Sequence, residues 1–248
     1  MLSQTAPLSR HKQVARWGLI PAAGIGKRMG SAIPKQYLKL HDREVLAWTL
    51  EAIQRSGELS AVVLVLNPDD QYFAGHLARE FPEVICVSGG NERLNSVARG
   101  LDKIAELGKD EDWVLVHDAV RPCVRKEDIS KLIAELAGHE TGGILASPVR
   151  DTLKHSDANG QVRETLPREQ YWLAATPQMF RLHKLRAAIR ALEEKNAIAT
   201  DEAAAIEQMG WPVQLVAGRS DNIKITAPED LPLAEFLLRE QARSRAQD

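Results

Sequence analysis

Lys27, Arg28 and Lys35 fall within nine residues, directly after the apolar run Trp17-Gly18-Leu19-Ile20. They accompany the stretch Pro21-Ala22-Ala23-Gly24-Ile25-Gly26-Lys27-Arg28-Met29-Gly30, and Pro34 breaks the chain just before Lys35. Glycines and alanines at the end of a strand let backbone N–H groups face an anion without side-chain obstruction. Cations beside such a turn suit a polyphosphate, so the segment predicts a nucleoside triphosphate bound over residues 21–29. Two familiar phosphate motifs do not fit. A Walker A loop requires glycine where the chain has Pro21, and Ser or Thr where it has Arg28. The dinucleotide fingerprint requires a third glycine where the chain has Met29.

A second group of candidates lies further along. Asp118 and Arg121 follow the apolar run Trp113 to Val116, and ligands of open α/β sheets collect at that end of a strand. Asp118 also reads as an ordinary turn or helix cap, although Arg121 and Pro122 beside it favour a site. His117 reads as a packed neighbour with a fixed tautomer rather than a base. Thr200 and Thr226 each precede a helical pattern, so N-capping explains both, and Thr200 is also placed to reach a ligand. Lys224 sits in an alternating run whose neighbours Ile223 and Ile225 point the other way. The chain offers no Ser/His/Asp or Cys/His arrangement for nucleophilic catalysis. Cys86 and Cys123 have no metal-ligand spacing and read as reduced thiols of a cytoplasmic protein.

These residues need a frame, and the pattern of the chain supplies one. Short apolar runs at Trp17 to Ile20, Ala61 to Leu66, Val84 to Val87, Trp113 to Val116, Gly143 to Val149 and Val213 to Val216 predict buried strands. Amphipathic segments predict helices at 44–55, 69–80, 95–107, 126–136, 182–194 and 201–209. Their alternation is the βαβ signature of a mostly parallel sheet. Between Thr152 and Glu164 polar and apolar residues alternate around Asn159-Gly160, which predicts a β-hairpin. A lone hairpin cannot bury itself, so it must lie on the body or on another subunit. A further strand is expected at Asn222 to Ile225, then a helix opened by a capping box of Thr226 and Glu229. Trp113, Trp172 and Trp211 read as packing residues.

The 248 residues are enough for a substantial core, and without repeats or linkers they predict one domain from residue 17 to 248 behind a flexible tail, 1–16. The net charge of −2 argues against a broad nucleic-acid footprint. No apolar run is long enough to span a bilayer, and the tail has no secretory h-region.

Seven segments, in order, resemble the 2-C-methyl-D-erythritol 4-phosphate cytidylyltransferases. They are residues 21–29, Pro34-Lys35-Gln36-Tyr37, Val116 to Pro122, Pro148 to Thr152, Ala175-Thr176-Pro177-Gln178, Thr200-Asp201-Glu202-Ala203 and Asp221 to Thr226. The resemblance implies a Rossmann-like nucleotidyltransferase fold with a projecting β-hairpin arm at about residues 150–175. It implies cytidylyl transfer from CTP to a polyol phosphate with Mg²⁺ held mainly by the nucleotide, in a homodimer joined through that arm. Position by position it casts Ala22, Ala23, Gly24, Gly26, Gly90, Ser96 and Asp118 as nucleotide contacts, and Arg28, Lys35 and Lys224 as catalytic cations. It casts Asp118, Arg121, Thr152, Thr200 and Lys224 on the polyol-phosphate side, with Arg168 and Thr176 donated by the partner's arm. Asn91 stands where some relatives carry Asp. The residues themselves leave open a ribitol 5-phosphate cytidylyltransferase, a non-catalytic nucleotide-binding module and, less well, a dinucleotide-dependent oxidoreductase.

Overall fold

The computed structural model describes residues 14–24, 33–90, 92–195, 197 and 199–246. The first strand, β1 (Arg16–Pro21), is buried on both faces. Leu19 packs on one side of the sheet and Ile20 on the other. That is why the run is continuously apolar rather than alternating. A 3₁₀ turn, Lys35–Tyr37, and a small hairpin of β2 (Lys39–Leu40) and β3 (Arg43–Glu44) lead into α1 (Val45–Arg55). Helix α1 buries Leu46, Leu50 and Ile53, and Gly57, with φ of 69°, follows its end in the left-handed conformation that glycine tolerates.

Strand β4 (Ala61–Leu66) is followed by a π-turn at Phe73–Leu77, α2 (Ala78–Glu80) and β5 (Ile85–Ser88). The helix expected from residue 69 therefore starts later, because Asp70 Oδ1 accepts from the backbone N–H of Tyr72 and Phe73 and holds a turn first. Then come α3 (Arg93–Leu107), β6 (Trp113–Val116), α4 (Lys126–Leu136) and β7 (Gly142–Pro148). Strands β8 (Leu153–Ser156) and β9 (Val162–Leu166) form the anticipated hairpin around Asn159-Gly160, and they pair only with each other. The chain continues through β10 (Trp172–Arg181), α5 (Leu182–Glu194), α6 (Glu202–Gln208), β11 (Gln214–Ala217) and α7 (Asp230–Arg245).

The large sheet has seven strands in the order β11-β7-β10-β6-β1-β4-β5. All neighbouring pairs run parallel except the two made by β10, which is antiparallel to both β6 and β7. Helices α1 and α4 cover one face through Leu50, Ile53, Ile129 and Leu132. Helices α3, α5 and α6 cover the other through Leu101, Ile104, Leu185 and Ile206. A third apolar cluster packs α7, through Ala234 and Leu238, over Val120, Cys123 and Ile225. After β5 the chain returns to the opposite side of β1 to form β6. The strand order therefore reverses between β1 and β6, and it is beyond the carboxyl ends of the strands at such a point that open α/β sheets bind their ligands.

Several expectations need correction. Arg16, assigned to the tail, is the first residue of β1, and Ala15 N–H is held by Asp112. Strand β10 was not anticipated, since Pro177 and a register shift between Ala174 and Gln178 interrupt its pattern. Asn222 to Ile225 joins no sheet ladder and is tied to the body by Ile225 N–H donating to Val120 O. The cap before α7 is made by Asp230, not Glu229: its Oδ2 accepts from Thr226 N, Thr226 Oγ1 and Ala227 N. At α6 the cap is Asp201 rather than Thr200, accepting from Ala204 N. Trp113 is buried with the Arg181 guanidinium over its ring, whereas Trp172 is 37% exposed.

Candidate active site

The loops leaving β1 and β5 lie against each other. Ala22 N–H donates to Val65 O and continues the β1–β4 ladder past the strand end. Gly89 sits so close that a Cβ would come within 2.6 Å of Ala23 Cβ and 2.8 Å of Ser96 Oγ, so only glycine fits there. Gly90 N–H donates to Ser96 Oγ at 3.1 Å, and that hydroxyl donates to Glu92 O from the first turn of α3. Ala22, Ala23, Gly24, Gly90 and Ser96 are thus gathered at one edge of the sheet. Gly26, Lys27 and Arg28 of the same loop, and Asn91, lie outside the described residues.

The 3₁₀ turn carrying Lys35 is tied to that loop by Gln36, whose Nε2 donates to Ala22 O at 2.8 Å and Gly24 O at 3.1 Å. Lys35 Nζ reaches the carbonyl of Ile225 at 3.3 Å, one residue from Lys224. The ammonium of Lys224 lies 3.0 Å from Asp118 Oδ2. Lys35, Lys224 and Asp118 are therefore brought near one another from three separate parts of the chain.

Asp118, 7% exposed, is the hub. Its Oδ2 also accepts from Arg121 Nε at 3.1 Å, and its Oδ1 lies 3.9 Å from Arg93. Burial alone would raise this carboxyl, but the charges of Lys224, Arg93 and Arg121 outweigh it and hold the group far below the ordinary carboxylate range. Arg93 is anchored in turn by a two-pronged contact with Glu202, at 2.6 and 3.0 Å. Arg121 NH1 donates to Asn222 O at 2.7 Å, and Asn222 Nδ2 donates to Thr176 O at 2.7 Å. Arg93, Glu202 and Asn222 went unrecognised as site residues in the sequence. Each looks like an ordinary charged or turn residue until β10 and α6 bring its partner to it.

Thr176 was expected on an arm reaching into the partner. It lies instead in β10, 4% exposed, beside Asp118 of its own chain. Thr152 and Arg168 are on the arm side: Thr152 is exposed just before β8, and Arg168 opens a short turn after β9, donating to Arg150 O at 2.6 Å. The described contacts do not join these two to the Asp118 cluster. Thr200 is exposed at the entry to α6, next to Asp201, which accepts from Gln178 Nε2 at 2.9 Å.

His117 is fully enclosed, and burial pushes its pKa down to about 4. An unfolded histidine binds its proton near 6.5, so between about pH 6.5 and 4 the unfolded chain takes up a proton that the folded one refuses. Stability is therefore expected to fall through that window by on the order of 3 kcal/mol, about 1.4 kcal/mol for each pH unit crossed. Asp118 is displaced downward too, but its contribution is lost only below about pH 4. Urea unfolding at pH 7 and pH 4.5 checks this, with the His117→Gln variant expected to lose much of the difference. A second stability effect concerns Glu202, 1% exposed. Glu202→Gln leaves Arg93 short of its ion pair and is expected to cost about 3 kcal/mol in the same measurement.

A mostly parallel sheet whose order reverses beside a glycine-shaped loop, with lysine and arginine gathered around Asp118, places the chain among α/β enzymes that act on nucleotide phosphates. The comparisons make this particular. A family model described as IspD, 2-C-methyl-D-erythritol 4-phosphate cytidylyltransferase, matches residues 17–240. A curated relative of that name from Hahella chejuensis (strain KCTC 2396) is 48% identical over 223 residues, covering 90% of this chain and 92% of its own length. Among solved structures, a 4-diphosphocytidyl-2C-methyl-D-erythritol synthase superposes with a TM-score of 0.79 at 35% identity, covering 91% of this chain and 99% of the other. The Francisella tularensis 2-C-methyl-D-erythritol 4-phosphate cytidylyltransferase gives 0.76 at 36%, covering 90% and 99%. This chain belongs to the 2-C-methyl-D-erythritol 4-phosphate cytidylyltransferase family. Among the described residues no helix is long and apolar enough to cross a membrane.

Proposed function

We propose that this chain transfers the cytidylyl group of CTP to 2-C-methyl-D-erythritol 4-phosphate, releasing pyrophosphate and forming 4-diphosphocytidyl-2-C-methyl-D-erythritol. The observation that carries the reading is Asp118 just past the end of β6, ringed by Lys224, Arg121 and Arg93. An oxygen of the acceptor phosphate attacks the α-phosphorus, and the bond to the pyrophosphate oxygen breaks. A phosphate monoester has its second pKa near about 6, so it is already largely dianionic and needs no general base. His117 suits none, since both its ring nitrogens are occupied within the fold.

What must be overcome is the repulsion of two anions and the charge gathering on the α-phosphoryl oxygens, a task for positioned cations. Lys35 and Arg28 serve the triphosphate, one as a compact point charge and the other as a bidentate fork. Ala22, Ala23, Gly24, Gly26, Gly90 and Ser96 hold the nucleotide through backbone and hydroxyl groups. Lys224, Arg121 and Thr200 face the acceptor, with Asp118 orienting the first two. The described residues contain no cluster of three His, Cys, Asp or Glu, and the oxygens of Asp118 face Arg93, Arg121 and Lys224. With the Asp118 oxygens engaged by these three cations, a divalent cation, Mg²⁺ in our reading, would be carried mainly by the phosphate oxygens of CTP. When bound, the ion neutralises charge on the triphosphate.

The arm completes the proposal. Its residues are mostly exposed, among them Val162 at 60% and neighbouring Leu173 at 61%, which supports pairing with a second copy. Thr152 and Arg168 then serve the partner's acceptor site, in a cytoplasmic homodimer. Labelled CTP tests the reaction. Label at the α-phosphorus should appear in the polyol product and label at the γ-phosphorus in pyrophosphate. γ-Label in the polyol would mean phosphoryl transfer and overturn the reading.

A further inference from the structure

The turn from Asp118 to Arg121 carries Arg121, assigned to the acceptor phosphate, and Asp118, which orients it, and the backbone beneath them is gripped at both ends by other groups. That backbone is held by a chain of hydrogen bonds whose direction can be worked out. Asp118 N lies 3.0 Å from Thr176 Oγ1, which lies 3.0 Å from His117 Nδ1. His117 Nε2 lies 3.0 Å from Arg121 O. A carbonyl oxygen only accepts, so Nε2 must carry a proton. A backbone N–H only donates, so Thr176 Oγ1 accepts from Asp118, and its own proton is left for Nδ1.

One state satisfies every member of the chain: neutral imidazole with its proton on Nε2. A proton on Nδ1 as well would leave the Thr176 hydroxyl proton without an acceptor and bury a charge, whose desolvation outweighs the attraction of Asp118. Thr176 is 4% and His117 1% exposed, so water does not replace a lost link cheaply. The ends of the chain meet the two ends of the turn, which is also closed by Arg121 N–H donating to Asp118 O at 3.1 Å.

We propose that His117, as the Nε2-protonated neutral tautomer, is a positioning residue: through Thr176 on one side and the Arg121 carbonyl on the other, it fixes the turn from which Arg121, and Lys224 held by Asp118, meet the acceptor phosphate. This rests on the functional reading above and deepens it. The Thr176 hydroxyl has its proton and a lone pair committed inside the fold, so its contribution to acceptor binding is indirect. The nucleotide loop at β1 and β5 is held by other bonds, those of Gln36, Gly89 and Ser96. Disturbing the His117 chain therefore weakens the hold on one substrate and spares the other.

Two measurements test this on the full-length protein. Nitrogen-15 NMR of histidine-labelled wild type at neutral pH, with His117 assigned by loss of its signals in His117→Gln or their displacement in Thr176→Val, should show Nδ1 unprotonated and Nε2 protonated. The opposite tautomer or an imidazolium overturns the proposal, whether or not the protein turns over the expected substrates. Kinetics form the second arm, begun by establishing that wild type releases pyrophosphate from CTP with methylerythritol phosphate; failure there refutes the functional reading and leaves the tautomer result standing.

With turnover established, His117→Phe and Thr176→Val should each raise the KM for the acceptor roughly tenfold and leave the KM for CTP within about twofold. Thr176→Ser, which keeps the hydroxyl, should stay near wild type. The double variant should be little worse than either single one, since both break one chain. Equal changes in both KM values, no change at all, or fully additive effects would overturn the proposal. If His117→Phe does not fold, the threonine variants and the wild-type spectrum decide it in the same way.

Discussion

Lys35→Ala is expected to lower kcat by on the order of a hundredfold or more while the protein stays folded, by analogy with removal of a single donor to developing anionic charge. The residue opens a 3₁₀ turn that Gln36 ties to the carbonyls of Ala22 and Gly24, and its ammonium reaches Ile225 O beside Lys224. Because Gln36 and buried Tyr37 anchor the turn, the alanine variant should keep its fold, and circular dichroism with thermal unfolding checks that. The loss should fall on turnover more than on binding, since charge at the α-phosphoryl group is greatest in the transition state. Lys35→Arg should recover little, because the planar fork cannot occupy the place of a point charge on this short turn. A folded Lys35→Ala protein with near-normal kcat would remove Lys35 from the chemistry.

Asp118→Asn is expected to lower kcat/KM for the acceptor by about a hundredfold or more, through a different cause. The carboxylate holds Lys224 Nζ at 3.0 Å and Arg121 Nε at 3.1 Å, with Arg93 at 3.9 Å. An amide of the same shape cannot balance Lys224 and Arg121, so these two repel each other and leave the positions from which they meet the phosphate, while Arg93 keeps its pair with Glu202. Removing one partner from a buried charge cluster costs about 3–5 kcal/mol, and some of this should appear as lower stability. Comparing kcat/KM with the unfolding midpoint separates the two effects. An unchanged kcat/KM in a destabilised but folded variant would make Asp118 a purely structural residue.

The sequence conveyed most of the frame because burial wrote it there directly. Helices α4 and α5 occupy the expected 126–136 and 182–194, since each buries one apolar stripe under the sheet. Strands β1, β4 and β6 were legible as short runs apolar on both faces. Strand β10 was not, because its pattern is broken by Pro177 and by the irregularity that turns Thr176 toward Asp118. The segment around Lys224 looked like a strand because Ile225 is buried, yet it is anchored by α7 and Val120 rather than by a ladder. Residues that share one loop, as Ala22 to Gly24 do, could be grouped from the sequence alone. Arg93 and Glu202, 109 positions apart, carry no local signal of their pairing. Asp118 was singled out by its place after a strand with Arg121 three residues on, but its other cationic neighbours, Arg93 and Lys224, come from distant parts of the chain.

A matrix of nucleotide against acceptor, scored for pyrophosphate, tests the central claim most directly. With CTP and UTP crossed against 2-C-methyl-D-erythritol 4-phosphate and ribitol 5-phosphate, the account predicts rapid release for CTP with the methylerythritol phosphate. Release for the other pairs should be lower by at least about a hundredfold, the scale that unpaired polar groups in a site impose. Faster release with ribitol 5-phosphate, or CTP binding without pyrophosphate from any pair, would contradict it.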